Sequence, residues 1–174
     1  VAIEQQIQYA AEKNIPWGTS EASYYNFDAQ QIYQYQAFGI PSLGYKRGLS
    51  NDLVVAPYAS VLALPFMPQE VMQNLARLER LKMWGLYGFY ESVDFTPDRL
   101  KTGESHALIR TYMVHHQGMI LLSLCNYLFE KRMIRRFHAD PRIESVELLL
   151  QEQTPEHAPT EHPRHQQVDS MRPT

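Results

Sequence analysis

The sequence predicts an all-α fold, on three observations. Apolar residues recur at helical spacing in several stretches, and no stretch alternates apolar and polar residues convincingly, as a half-buried strand would. The helical stretches are separated by loops rich in aromatic residues and glycine. Along the chain the order is helix, aromatic loop, helix, aromatic loop. That order suits paired helices whose loops gather at one end and build one site.

Each element has its own signal. Residues 2–13 place Ile3, Ile7, Ala10 and Ala11 on one face, and Asn14 and Pro16 end that helix. A loop around Glu21 follows, then a polar-aromatic segment over 28–38 that reads as a short helix. Breakers make 39–44 a loop. The apolar stretch 52–64 contains Pro57, which interrupts any helix there, and Ser50 or Asn51 suits its cap. Pro68 starts the clearest amphipathic helix, with Val71, Leu75 and Leu78 on one face and Arg77, Glu79 and Arg80 elsewhere. The Glu91 loop comes next. The longest helix is expected over 105–129, with Leu108, Tyr112, Met119 and Leu122 on its apolar side, and the last over 141–152. Residues 1–154 read as one domain region, and the Pro- and His-rich residues 155–174 as a linker or tail.

Composition narrows the function classes. The 174 residues carry 16 Lys and Arg against 19 Asp and Glu, a net charge of −3 with no basic stripe. Nucleic acid is therefore not expected as a partner. No apolar run approaches the ~20 residues of a membrane span. The lone Cys125 leaves no internal disulfide framework, and its apolar neighbours suit a buried structural thiol. The chain opens at Val1 inside a helical pattern, which reads as a piece of a longer protein. Eleven tyrosines among its aromatics favour a surface both apolar and hydrogen-bonding.

Two carboxylates stand out in that context. Glu21 lies in Trp17-Gly18-Thr19-Ser20-Glu21-Ala22-Ser23-Tyr24-Tyr25-Asn26-Phe27-Asp28, and Glu91 in Trp84-Gly85-Leu86-Tyr87-Gly88-Phe89-Tyr90-Glu91-Ser92-Val93-Asp94. Rings offer flat apolar faces to sugar C–H groups, and paired carboxylates supply acid, base or nucleophile. Glu21 and Glu91 are the candidate catalytic pair. Trp17, Tyr25, Tyr87 and Tyr90 are candidate stacking residues, and Asp28 is a reserve carboxylate near Glu21. His115, His116 and Gln117 could bond sugar hydroxyls. Blander readings stand beside these: a first-turn acid for Glu21, a loop carboxylate for Glu91, a cap for Asp28 and core histidines. Adjacent histidines on a helix differ by ~100°, which argues against one metal held by both. No metal and no cofactor is expected. Lys46-Arg47 is a basic step, ordinarily solvated, although Arg47 could brace a carboxylate. His157, His162 and His165 have no folded frame.

Seven ordered blocks resemble the glycoamylase-like domain of bacterial cyclic β-1,2-glucan synthases. They are 17–28, Tyr33-Gln34-Tyr35-Gln36-Ala37-Phe38-Gly39-Ile40-Pro41, Lys46-Arg47-Gly48-Leu49, Asp52-Leu53-Val54-Val55-Ala56-Pro57-Tyr58-Ala59, Tyr87-Gly88-Phe89-Tyr90-Glu91, Tyr112-Met113-Val114-His115-His116-Gln117-Gly118-Met119 and Arg135-Arg136-Phe137-His138-Ala139-Asp140-Pro141. The resemblance implies the C-terminal part of an (α/α)6 toroid. It also implies a larger inner-membrane parent with a glycosyltransferase region, this segment being soluble and on the cytoplasmic side. The implied partners are a β-glucan oligosaccharide or polysaccharide, the rest of the same domain, and neighbouring domains of the parent. The implied activity is transglycosylation or hydrolysis of β-1,2-glucan, closing linear chains into rings. Two alternatives remain: a non-catalytic glucan-binding module, and an inactive structural fragment.

Overall fold

Tyr33-Gln34-Tyr35-Gln36 alternates aromatic and polar side chains, which is the period of a strand. In the computed structural model, which describes residues 1–43 and 48–150, this segment is strand β2 (Tyr33–Gln36), paired antiparallel with β1 (Ala22–Phe27). The expected helix over 28–38 is replaced by a hairpin. Its turn is built by Asp28, whose Oδ1 accepts from the N–H groups of Gln30 and Ile32 at 2.9 Å each. Phe27 and Tyr33 close the hairpin with ring centroids 4.7 Å apart.

The all-α expectation is thereby corrected. Among the described residues helices share the fold with three antiparallel sheets, a mixed α and β architecture. The central sheet has the order β3 (Val54–Val55), β6 (Ser92–Asp94), β7 (Ala107–Ile109). Its register sets Val55 against Val93 and Val93 against Leu108. A minimal pair, β4 (Trp84–Gly85) with β5 (Gly88–Phe89), precedes β6. All three residues of β6 are buried, so no alternation marks it in the sequence. The expected helix over 105–129 begins as strand β7 and turns helical only at α4 (Val114–Leu128).

The chain divides into two units, residues 1–135 and 136–174. In the first, α1 (Ala2–Glu12) and α3 (Pro68–Arg80) follow the expected periodicity, and Pro57 opens the short α2 (Pro57–Val61). Val71 and Leu78 of α3, Ala10 of α1, Val55 of β3, Val93 of β6 and Trp17 form one buried cluster. Trp17 is pinned there by Asn74. The Trp17 N–H donates to Asn74 Oδ1 at 2.9 Å, and Asn74 Nδ2 donates to the Trp17 carbonyl at 2.7 Å. Gly18 beside it has φ +127°, and a Cβ there would lie 2.8 Å from the Ala56 carbonyl oxygen. Only glycine suits that contact.

A second pin joins β1, β6 and the 3-10 turn Pro97–Arg99. Buried Asp94 accepts from Arg99 Nε at 2.7 Å, from the Tyr25 N–H at 3.0 Å and from the Thr96 N–H at 2.9 Å. Arg99 also reaches Asp52 at 2.8 Å and covers the Tyr24 ring. Burial opposes the Arg99 charge, but its bonds to Asp94 and Asp52 outweigh that and hold its pKa above the ordinary value.

α5 (Arg132–His138) leads into the second unit, where the expected helix over 141–152 appears as α6 (Pro141–Glu144) and α7 (Glu147–Leu150). Asp140 caps α6 by accepting from the Arg142 N–H at 2.9 Å. Lys46, Arg47 and the expected tail over 155–174, with His157, His162 and His165, lie outside the described residues. No helix among the described residues is long and apolar enough to cross a membrane.

Candidate functional site

Three pieces of chain bring acids and imidazoles together, and β2 and α2 add Tyr35 and Tyr58. Glu21 enters β1 with its side chain exposed, Glu91 sits between β5 and β6, and His115 and His116 lie in the first turn of α4. The Glu21 backbone is held from below. The Tyr58 hydroxyl, at the start of α2, donates to the Glu21 carbonyl at 3.1 Å and lies 2.8 Å from Ser20 Oγ.

Glu91 is inside the protein. Its side chain is 0% exposed and that of His116 is 2% exposed. His116 Nδ1 lies 2.9 Å from one Glu91 oxygen and 3.0 Å from the other. The Ser23 N–H donates to Glu91 Oε1 at 3.4 Å, and Ser92 Oγ donates to the Ser23 carbonyl, so β1 and β6 close around the carboxylate. A carboxylate on Nδ1 fixes the imidazole with that nitrogen protonated and leaves Nε2 for other work. The His116 ring stacks on Tyr58, centroids 3.8 Å apart and planes 17° apart. Its Nε2 faces the Tyr35 hydroxyl at 3.4 Å.

Tyr35 reaches outward. It is 40% exposed, and its hydroxyl lies near the Glu21 carboxylate. Burial first, and then the negative charges of Glu21 and Glu91 with the neighbouring Tyr58, push the Tyr35 phenol above its ordinary pKa. Burial likewise raises Tyr58, with Ser20 acting against it and Glu21 and Glu91 adding to it. The result is a graded site: a buried carboxylate–imidazole hydrogen bond at the base, an aromatic layer over it, and the Glu21 carboxylate at the open rim.

The two histidines are closer than helical geometry alone suggests. Their ring centroids are 4.0 Å apart, and one ligand atom each from Glu21, His115 and His116 falls within 4.8 Å of the others. That proximity groups the two imidazoles with the exposed Glu21 carboxylate at the start of α4.

A family model of glycoamylases matches residues 2–141. The chain belongs to the glycoamylase family. It is 43% identical over 159 residues to the cyclic β-(1,2)-glucan synthase NdvB of Rhizobium meliloti (strain 1021), a match that takes in 91% of this chain and 6% of that protein. Among solved structures, an endo-β-1,2-glucanase from Chitinophaga pinensis with sophorotriose and glucose shares the fold, with a TM-score of 0.55 and 22% identity over 88% of this chain and 33% of that one. A β-1,2-glucanase from Parabacteroides distasonis does so with a TM-score of 0.50 and 18% identity over 74% and 16%. The chain thus spans a small part of its curated relative and about a third or less of these structural neighbours.

Within this glycoamylase-family chain the residues singled out from sequence separate. Glu21, Glu91, His115 and His116 converge. Trp17 is in the core, Asp28 is committed to the hairpin turn, and Gln117 Nε2 donates to the Phe89 carbonyl at 3.0 Å. Tyr25 lines another cavity, of about 470 Å³, with Tyr33, Lys82, Glu104, His106 and Arg110. Tyr87 and Tyr90 each lie 5.4 Å from the Tyr112 ring and form an aromatic corner with it. Tyr35 and Tyr58 escaped the sequence reading. Tyr35 carried one usable signal, its place in an aromatic-polar alternation beside the Glu21 loop.

Proposed function

We propose that this chain is the part of a β-1,2-glucan-active glycoside hydrolase or transglycosylase that carries Glu21 as the acid or base meeting the glycosidic bond. The observation that carries this reading is the convergence of one exposed carboxylate with a buried, fully paired Glu91–His116 couple. The glucan specificity rests on the 43% identity to a cyclic β-(1,2)-glucan synthase. Glu91 belongs to the same machinery but does its work through His116, since its oxygens are buried and occupied. Tyr35, His115, Tyr87 and Tyr90 are the side chains offered to the sugar.

In this reading residues 1–154 are part of a larger glycoamylase-like domain within a membrane-anchored synthase that also carries a glycosyltransferase region, with this segment on the cytoplasmic side. Leu121 and Leu128 of α4 are 66% and 65% exposed, as expected of a face covered by the rest of that domain. Ring closure of linear glucan conserves the energy of the glycosidic bond, so the chemistry of choice is retention through a glycosyl-enzyme, its nucleophile coming from the part of the domain outside this chain. The test is direct. Full-length protein carrying this chain is incubated with linear β-1,2-glucan and with β-1,3-glucan, and products are separated by size. Cyclic or shortened products from the β-1,2-glucan alone support the reading, and binding without turnover refutes it in favour of a glucan-binding module.

A further inference from the structure

Away from the Glu21 cluster, the first unit carries a polar cavity of about 470 Å³, lined by Tyr25, Tyr33, Lys82, Glu104, His106 and Arg110 among others. That size falls in the range of roughly 300–1,000 Å³ typical of small-molecule sites. The cavity shares no lining residue with Glu21, Glu91, His115 or His116. We propose that it is a second saccharide-binding site, which holds a stretch of glucan chain beyond the sugar at Glu21. The proposal rests on the reading of this chain as part of a β-1,2-glucan-active protein.

The chemistry of the lining selects the ligand. Lys82, Glu104 and Arg110 are exposed, and among the described residues none of their side chains has a hydrogen bond or ion pair. Their donors and acceptors are unspent. An anion would be repelled by Glu104, and a cation by Lys82 and Arg110. Sugar hydroxyls both donate and accept, so a neutral saccharide uses all three side chains. Tyr25 and Tyr33 are half-buried, with ring centroids 6.5 Å apart, and offer apolar faces to sugar C–H groups. His106 is held in place by Ser105, whose Oγ lies 2.9 Å from Nδ1, and by the Phe95 ring at 5.8 Å between centroids.

The hairpin joins this cavity to the Glu21 rim. Tyr33 and Tyr35 are two residues apart in β2, so they project from one face of the strand, about 6.5–7 Å apart along it. Tyr35 lies near the Glu21 carboxylate, and Tyr33 lines the cavity. A sugar chain leaving Glu21 along that face meets Tyr35 and then Tyr33. Lys82 points to the same use. It follows Leu81, the C-cap of α3, and has φ +64°, at a position where helices commonly carry glycine. Lysine there bears backbone strain that glycine would not, and a binding role for its ammonium accounts for it.

The experiment uses full-length protein carrying wild-type sequence, R110Q or K82G. Affinity for long linear β-1,2-glucan is measured by calorimetry, kcat and KM by turnover of the same glucan, and the melting midpoint by circular dichroism. Each variant loses about 3–10-fold in affinity, from the hydrogen bonds removed. KM rises by the same factor while kcat stays within about twofold, because the sugar held there is remote from the bond that breaks. The midpoint holds in R110Q and holds or rises in K82G, where strain is relieved. Wild-type affinity and KM in both variants overturn the site. A weakened affinity that comes with a lowered midpoint in both variants marks the two residues as structural and also overturns it. The two levels separate: glucan bound through Arg110 and Lys82 but never turned over removes the reading of activity and leaves the site, whereas normal turnover and affinity in both variants remove the site alone.

Discussion

His116 Nδ1 is within 3.0 Å of both carboxylate oxygens of Glu91, and neither side chain is more than 2% exposed. The pair ties the first turn of α4 to the entrance of β6, two elements brought together from 25 residues apart. A buried carboxylate hydrogen-bonded to an imidazole in this way is weak as a source of net stability and costly to break. Its retention next to an exposed carboxylate is what a site needing a fixed imidazole requires.

Breaking that pair from one side leaves the partner buried and uncompensated. Glu91→Ala destabilises the fold by about 3–5 kcal/mol, read by denaturant unfolding, while Glu21→Ala at the exposed rim changes stability by less than about 0.5 kcal/mol. Equal losses in the two variants would contradict the assignment of Glu91 to the interior.

Asn74 is the polar clamp of the core. Both Trp17 backbone groups depend on it. Asn74→Leu keeps the volume but leaves a buried N–H and a buried carbonyl unpaired, so unfolding free energy drops by about 2 kcal/mol or more. Thermal melts of the two proteins check this, and an unchanged midpoint refutes the clamp.

Gly18 carries the tightest backbone contact of the first unit. Gly18→Ala forces a Cβ toward the Ala56 carbonyl at φ +127°, a cost of about 1–3 kcal/mol from strain alone. Circular dichroism melts at neutral pH measure it. A variant as stable as the parent would mean that the Gly18–Ala56 approach is not fixed.

The raised tyrosines give stability a pH signature. A phenol whose folded pKa lies above its ordinary value of 10.0 stays protonated in the fold while the unfolded chain ionises. The stability it contributes is complete below pH 10 and is lost as pH rises from there toward the folded pKa. Unfolding free energy therefore declines above pH 10, and Tyr35→Phe flattens that decline. A steeper alkaline loss in Tyr35→Phe would show that the sign is wrong.

Legibility from sequence followed element length and contact range. The amphipathic stripe of α3 and the start of that helix at Pro68 were readable because periodicity runs over thirteen residues. Strands β3 to β7 are two or three residues long, shorter than any period can register, and β6 is buried on both faces. The all-α reading failed at those elements. At the hairpin it failed for another reason: aromatic-polar alternation in 33–36 was present but was outweighed by the polar composition around it. The site was partly readable. Glu21, Glu91 and the histidine pair stood out by type and setting, whereas the burial of Glu91 depends on Ser23 and His116, 68 and 25 residues away. Trp17 resembled a sugar platform because it adjoins glycine and a carboxylate. Its partner Asn74, 57 residues on, makes it a core residue.

The most direct test of the account is turnover of linear β-1,2-glucan by Glu21→Gln beside wild-type protein, with binding measured separately. The account predicts that kcat falls by about 10²–10⁴-fold while glucan affinity stays within a few-fold. A Glu21→Gln protein that turns over the glucan at the wild-type rate would contradict it.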